Sequence, residues 1–258
     1  MKSWEELEIE DDFLFQKVME NEEICKTFLE KTLKRKINKI RYYRGEQTVS
    51  LSPINKGVRF DVAVETADGA IIDVEMQTSD ISKWLPKRTR YYQAMIDLNK
   101  LAKGSKYQNL PESYIIFVCT FDPFALSRKI YTFTNQCREE NFDLNDGSTK
   151  IFYNTIGTFG ELDEDIENFL NYIKTKSVKG DFTRKVAEEV EKLKAHDALK
   201  LEYMSLFARM TDEREAEKIN SIRNIMKNLN LTLEKAMEAL GIPKNEQPMY
   251  RETILSMG

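Results

Sequence analysis

Apolar residues recur at helical spacing in two runs near the start of the chain. Phe13, Leu14, Phe15, Val18 and Met19 form the first, behind a cap at Asp11 or Asp12, and Ile24, Phe28, Leu29 and Leu33 form the second, behind Asn21. The second run ends among Lys31, Lys34, Arg35 and Lys36, where cations suit the negative end of a helix. From Ile37 the pattern turns extended. Ile40, Tyr42, Tyr43, Thr48 and Val49 suggest a strand interrupted near Gly45, and residues 52–57 read as a loop. Residues 59–66 and 70–77 then alternate apolar and polar side chains on either side of Ala67-Asp68-Gly69, which predicts a hairpin. A helix over residues 85–103 carries Tyr91, Met95, Leu98 and Ala102 on one stripe and stops at Gly104. Tyr114 to Cys119 is an uninterrupted apolar run, short enough for a strand buried on both faces and reached by a parallel crossover.

The order to this point is α-β-β-β-α-β, an α/β fold with a mixed central sheet and helices on its faces. Ile130–Thr134 and Ile151–Asn154 flank a turn at Asn145-Asp146-Gly147 and extend the sheet. Beyond residue 160 the spacing is helical, through Ile166, Phe169, Leu170 and Ile173 and on to Leu233, Ala236, Met237 and Leu240 before Gly241 and Pro243. Residues 1–160 are therefore expected to form one domain, and 161–258 a helical C-terminal region.

Composition narrows the classes of function. With 258 residues, 41% hydrophobic and 32% charged, the chain is globular. It has no apolar run long enough for a bilayer span, and its acidic N-terminus does not resemble a signal sequence, so a soluble cytoplasmic protein without membrane partners is expected. Cys25, Cys119 and Cys137 are too few and too far apart for a disulfide framework or a zinc ribbon. A single histidine, His196, removes histidine-cluster metal sites, and no phosphate-cradling glycine motif occurs. The net charge of −4 argues against nucleic-acid binding through overall positive charge and leaves local basic surfaces.

The hairpin register decides which side chains meet. A two-residue turn at Asp68-Gly69 sets Asp61 opposite Met76 and splits the acids across the sheet. A three-residue loop with Gly69 left-handed pairs Thr66 with Ala70 and Asp61 with Glu75. That register gathers Val62, Val64, Ile72, Val74 and Met76 on one face and Asp61, Asp73, Glu75 and Gln77 on the other, so burial of the apolar set favours it. Carboxylates brought together repel unless a proton or cation intervenes, and Mg²⁺ is held by such oxygen donors without histidine. Basic residues interleaved with tyrosines flank the hairpin. Arg88, Arg90 and Lys87 on one side, and Lys34 and Arg35 on the other, are expected to hold DNA phosphate.

Asp61 followed by Glu75-x-Gln77 in this order of elements resembles the PD-(D/E)xK nuclease superfamily, in particular its recombination-promoting nuclease and transposase family. The likeness extends to Asp12-Phe13-Leu14-Phe15, Arg88-Thr89-Arg90-Tyr91-Tyr92, Cys119-Thr120-Phe121-Asp122-Pro123-Phe124, Tyr131 to Cys137, Ile151 to Thr155 and Glu202-Tyr203-Met204. It implies a restriction-endonuclease-like αβββαβ core and Mg²⁺-dependent endonuclease cleavage of DNA, with Mn²⁺ as a substitute. It implies Asp61 and Glu75 as metal ligands, the main-chain carbonyl of Met76 as a further ligand, and Asp12 as another acid. Gln77 stands where the superfamily more often has lysine, and Phe60 precedes Asp61 in place of proline. Lysine carries charge toward the transition state, whereas glutamine offers only amide dipoles. A DNA endonuclease linked to recombination or mobile elements is thus expected. The competing class is a weakly active or inactive protein of this fold that binds DNA or a partner. Residues 161–258 hold 16 basic and 19 acidic side chains, which favours self-association or partner binding over DNA reading there.

Overall fold

Two helices, Asp12–Met19 (α1) and Glu22–Leu33 (α2), open the computed structural model, which describes residues 2–42 and 60–256. Asn21 caps α2, its side-chain oxygen accepting the N–H groups of Glu23 and Ile24 at 3.1 and 3.3 Å. Asp11 occupies the cap position of α1, yet its carboxylate accepts from the Glu8 N–H and the Lys2 ammonium and makes no side-chain capping bond.

Six strands follow among the described residues: Ile40–Tyr42 (β1), Val62–Thr66 (β2), Ile71–Gln77 (β3), Ser113–Cys119 (β4), Ile130–Phe133 (β5) and Ser148–Asn154 (β6). They form one mixed sheet in the order β1-β2-β3-β4-β6-β5. β3 and β4 run parallel, joined by the helix Leu85–Lys100 (α3); β4 and β6 are also parallel, and the remaining pairs are antiparallel. The expected strand residues Tyr43, Thr48 and Val49, the break at Gly45, the loop at 52–57 and Arg59 lie outside the described residues.

The hairpin adopts the three-residue loop. Val62 pairs with Val74 and Val64 with Ile72, the Thr66 N–H donates to Ala70 O at 2.9 Å, and Gly69 sits at φ +89°. In register across the sheet, Met76, Val118 and Tyr153 lie on one face, and Glu75, Phe117 and Phe152 on the other. Helices Glu164–Thr175 (α4) and Asp181–Lys194 (α5) join α2 on the first face, where Tyr153 packs edge-on against Phe28, Phe28 against Phe169, and Phe169 tilts against Phe182. α3 covers the second face through Leu85, Thr89, Tyr92, Met95 and Ile96. This corrects the expected stripe, because Tyr91 and Leu98 are exposed at 38% and 54%. Residues 85, 89, 92 and 96 follow one helical face more closely, and Tyr92 packs edge-on against Phe60.

The chain divides after His196, beyond the boundary expected at 160. α4 and α5 belong with the sheet, and a clasp ties the two ends of this unit together: the Trp4 indole N–H donates to Lys194 O at 3.2 Å, and the Lys194 ammonium donates to Glu5 O and Leu7 O. The second unit holds the helices Asp197–Leu229 (α6), Leu233–Ala239 (α7) and Gln247–Ser256 (α8). Its own core is Ile222, Leu233, Ala236, Met237, Ile242, Tyr250 and Ile254. Among the described residues, no helix is long and apolar enough to cross a membrane.

Candidate active site

Asp61 lies one residue before β2, where the hairpin pairing gives out, and Glu75 lies opposite it on β3. The two acids hold each other through the backbone. The Asp61 N–H donates to Glu75 Oε1 at 2.9 Å, and the Met76 N–H donates to Asp61 Oδ2 at 3.2 Å. Because Gln77 O accepts from Thr120 N–H on the β4 side, strand alternation turns the peptide groups of Met76 toward the β2 side, the flank on which Asp61 sits. The main-chain carbonyl expected as a ligand therefore shares that flank with Asp61.

Arg88 reaches the same cluster from the first turn of α3. Its guanidinium donates to Glu75 Oε2 at 2.7 Å and to Gln77 Oε1 at 2.8 Å, and it also donates to the Tyr92 hydroxyl. It lies 4.9 Å from the Tyr92 ring centroid and 5.5 Å from that of Phe117. The other end of the Gln77 amide donates to Ser79 O at 2.9 Å. Gln77 thus has both ends committed, and among the described residues the guanidinium of Arg88 is the cation paired with Glu75. The Arg88–Tyr92 spacing of one helical turn is the sequence signal for this arrangement, whereas sequence reasoning assigns Arg88 only to phosphate.

The sequence pattern puts Asp73 on the acidic face and gives it no role. It is fully buried, and neither carboxyl oxygen accepts a hydrogen bond from the protein. Burial, then the neighbouring charges of Glu75 and Asp61, push it well above the usual carboxylate range. Burial also pushes Glu75 up, to about 8; Asp61 adds to the rise and Arg88 opposes it.

The remaining expected residues are dispersed. Lys87 and Arg90 are exposed on α3, and neither forms an ion pair among the described residues. Arg35 pairs with Asp68 at 3.0 Å and Glu112 at 3.6 Å, at the opposite end of β3 from Glu75, and the exposed Lys34 precedes it. That pair is not brought to the acids, because α2 ends beside the hairpin loop. Asp12 is the exposed first residue of α1, and its place in a ligand set rests on resemblance alone.

The cluster suits a divalent cation by the chemistry of its donors. Among the described residues, the guanidinium of Arg88 stands against the three acids Asp61, Asp73 and Glu75, and Asp73 carries orphaned buried oxygens. Among the described residues no three His, Cys, Asp or Glu side chains converge on a common point, and the oxygen donors that could meet a cation here are those of Asp61 and Glu75 with the Met76 carbonyl. One or two carboxylates completed by water and substrate phosphate are how Mg²⁺ is commonly held.

A family model described as PD-(D/E)XK nuclease family transposase matches residues 10–218, a span that contains the whole sheet, α3 and every acid of the cluster. No curated protein and no solved structure matches the chain. PD-(D/E)XK nucleases typically use divalent metals, the ion class this oxygen donor set accommodates. With the greater part of its length matched, the chain belongs to the PD-(D/E)XK nuclease family of transposases, hydrolases whose substrate is DNA.

Proposed function

We propose that the protein is a Mg²⁺-dependent DNA endonuclease that hydrolyses phosphodiester bonds in recombination or the movement of mobile elements. The observation that carries this reading is the reciprocal hold between Asp61 and Glu75, with Arg88 bridging Glu75 and Gln77. Asp61, Glu75 and the Met76 carbonyl would hold the cation. A divalent cation there supplies Lewis-acid stabilisation of the phosphate oxygens and a more acidic water. Arg88 brings fixed positive charge to the acids, the role of the superfamily's lysine, while Gln77 orients Arg88 and does not position water. Tyr92 and Phe117 wall the guanidinium on its apolar side and strengthen its field by keeping water away.

Plasmid nicking tests the reading. The protein should nick supercoiled DNA with Mg²⁺ or Mn²⁺, and EDTA or Asp61→Ala should abolish it. One observation favours the competing class: Glu75 Oε2 already has a cationic partner in Arg88. On that reading the protein binds DNA, and no divalent metal supports nicking. Association through the α6–α8 unit fits the exposure of Leu201, Met204 and Leu229 on α6.

A further inference from the structure

A cleft of about 730 Å³ opens beside the flank of α3 and the β5–β6 hairpin, on the face of the sheet that carries the acids. Arg90 and Gln93 line it from α3, and Phe124, Phe133, Lys150 and Phe152 line it from the hairpin and the loop before β5. Phe133 and Lys150 are direct partners across β5 and β6. The rings of Phe124 and Phe133 both stand edge-on to Phe152, at 5.1 and 5.7 Å, and Phe133 keeps 44% of its surface exposed.

Two features make this a binding site and not a surface dent. First, its cations form no ion pair, while its acids already accept hydrogen bonds from neutral neighbours. Arg90 and Lys150 form no ion pair among the described residues, and Lys150 donates only to the Ser148 hydroxyl. Asp97 accepts from Gln93 at 2.9 Å, and Asp146 accepts from Asn135 at 2.6 Å and from the Ser148 N–H at 3.1 Å. Second, the aromatic wall is held in place. The Asp122 carboxylate accepts the N–H groups of Phe124, Ala125 and Ser127 and the hydroxyl of Tyr131, which locks a loop containing left-handed Ala125 and Ser127 at φ 56° and 57°. A concavity of this size with an exposed ring and two cations that lack an acidic partner matches a group that is planar at one end and anionic at the other.

Phe152 shares a register row with Phe117 and Glu75, two strand spacings from the acid, or roughly 10 Å. A stacked strand covers that span in about three nucleotides. We propose that the cleft is a nucleotide subsite, separate from the acids, that holds one unpaired nucleotide of a DNA strand. Arg90 and Lys150 take its phosphate, and Phe133 takes its base. The inference rests on the DNA nuclease reading and specifies the form of the substrate: a base must leave the duplex stack before Phe133 can reach its face, so the site selects single-stranded, frayed or extruded nucleotides.

The test is equilibrium binding of the full chain in EDTA, so that cleavage plays no part. Three probes of equal length are compared by fluorescence anisotropy: oligothymidylate, the same strand with abasic sites, and a blunt duplex. Oligothymidylate should bind about tenfold or more tightly than the abasic strand, since stacking on an aromatic ring contributes on that scale. Phe133→Leu should erase this preference and leave the salt dependence intact. The double variant Arg90→Ala/Lys150→Ala should keep the preference and flatten the slope of log K against log salt by about 0.7 for each phosphate it no longer neutralises. Urea unfolding confirms that each variant is folded. A parent indifferent to the base, a Phe133→Leu variant that still prefers it, or an unchanged salt slope overturns the subsite. A parent that nicks plasmid with Mg²⁺ yet ignores these changes refutes the subsite and leaves the nuclease reading standing. A parent that binds none of the probes removes the subsite, and nicking then decides the nuclease reading alone.

Discussion

Asp61 grips the carboxylate of Glu75 with its own main-chain N–H, at 2.9 Å across the open end of the hairpin. The side chain of one acid is thereby placed by the backbone of the other, and the Met76 N–H returns the hold on Asp61. A slip of one residue in register breaks both bonds at once.

The two acids should act as a unit. Asp61→Asn and Glu75→Gln each keep acceptor oxygens for these backbone bonds while removing charge. Each single variant is expected to lower the Mg²⁺-dependent nicking rate about 100-fold or more, and the double variant to be little worse than either. Rates that multiply in the double variant would separate the acids into independent roles.

Arg88→Ala should cost both activity and stability. It leaves Glu75, 1% exposed, without its cationic partner. A fully buried pair broken this way costs more, and with a third of Arg88 in solvent we expect about 2–3 kcal/mol above about pH 8, where Glu75 is ionised, and less below it. Arg88→Lys restores charge but lacks the fork that reaches Glu75 and Gln77 together, so it should recover stability in part and nicking less. Chemical denaturation beside nicking rates gives both readouts; an Arg88→Ala protein as stable as the parent contradicts the ion pair.

Stability should fall as pH rises. Burial and Asp61 raise Glu75 to about 8 in the folded protein, and Asp73 is raised well above its usual value, whereas both titrate near ordinary carboxylate values when unfolded. Between those limits the unfolded chain has released protons that the folded chain keeps, so the folded state loses ground as pH rises from about 4.5 through about 8. Mg²⁺ needs ionised ligands, so it should raise Tm most at the alkaline end and least near pH 5. Asp61→Asn removes one of the charges acting on both neighbours and should flatten the profile. Thermal melts across this range with and without Mg²⁺ check the sign; a Tm that climbs with pH in this window is the contrary result.

Gly157→Ala probes the frame of the β5–β6 hairpin. A Cβ at Gly157 would stand 2.6 Å from Arg128 O and 2.7 Å from Lys129 Cα, both backbone atoms that cannot swing aside. We expect a loss of about 1–3 kcal/mol in urea unfolding, and a variant as stable as the parent would show that the loop yields freely.

Much of this is legible because a hairpin obeys a strict two-residue period. Val62, Val64, Ile72, Val74 and Met76 admit one register that buries them together, and that register aligns Asp61 with Glu75. The Asn21 cap and the apolar run ending at Cys119 carry equally local signals. What escapes depends on contacts between distant segments. The face of α3 that meets the sheet is chosen by Tyr92 fitting against Phe60 and Phe117, and a helix with apolar residues scattered around it does not announce that choice. Arg88 reads as a surface cation because its ion-pair partner lies 13 positions away in sequence. Asp73 passes unremarked because its strangeness lies in burial, which alternation alone does not supply. The boundary at 160 follows composition, whereas α4 and α5 are held by Phe28 and by the clasp on Trp4.

That clasp has a consequence for how the chain is made. Trp4 and Lys194 are 190 residues apart. At ribosomal pace the second emerges roughly 10–40 s after the first. Only in the last stretch of that interval, roughly 2–8 s after Asn154 completes the sixth strand, can the whole sheet stand while the layer formed by Phe169 and Phe182 is still being added above Phe28. The nascent protein therefore offers an apolar sheet face to chaperones, and it closes when α5 leaves the ribosome, well after its acids have met.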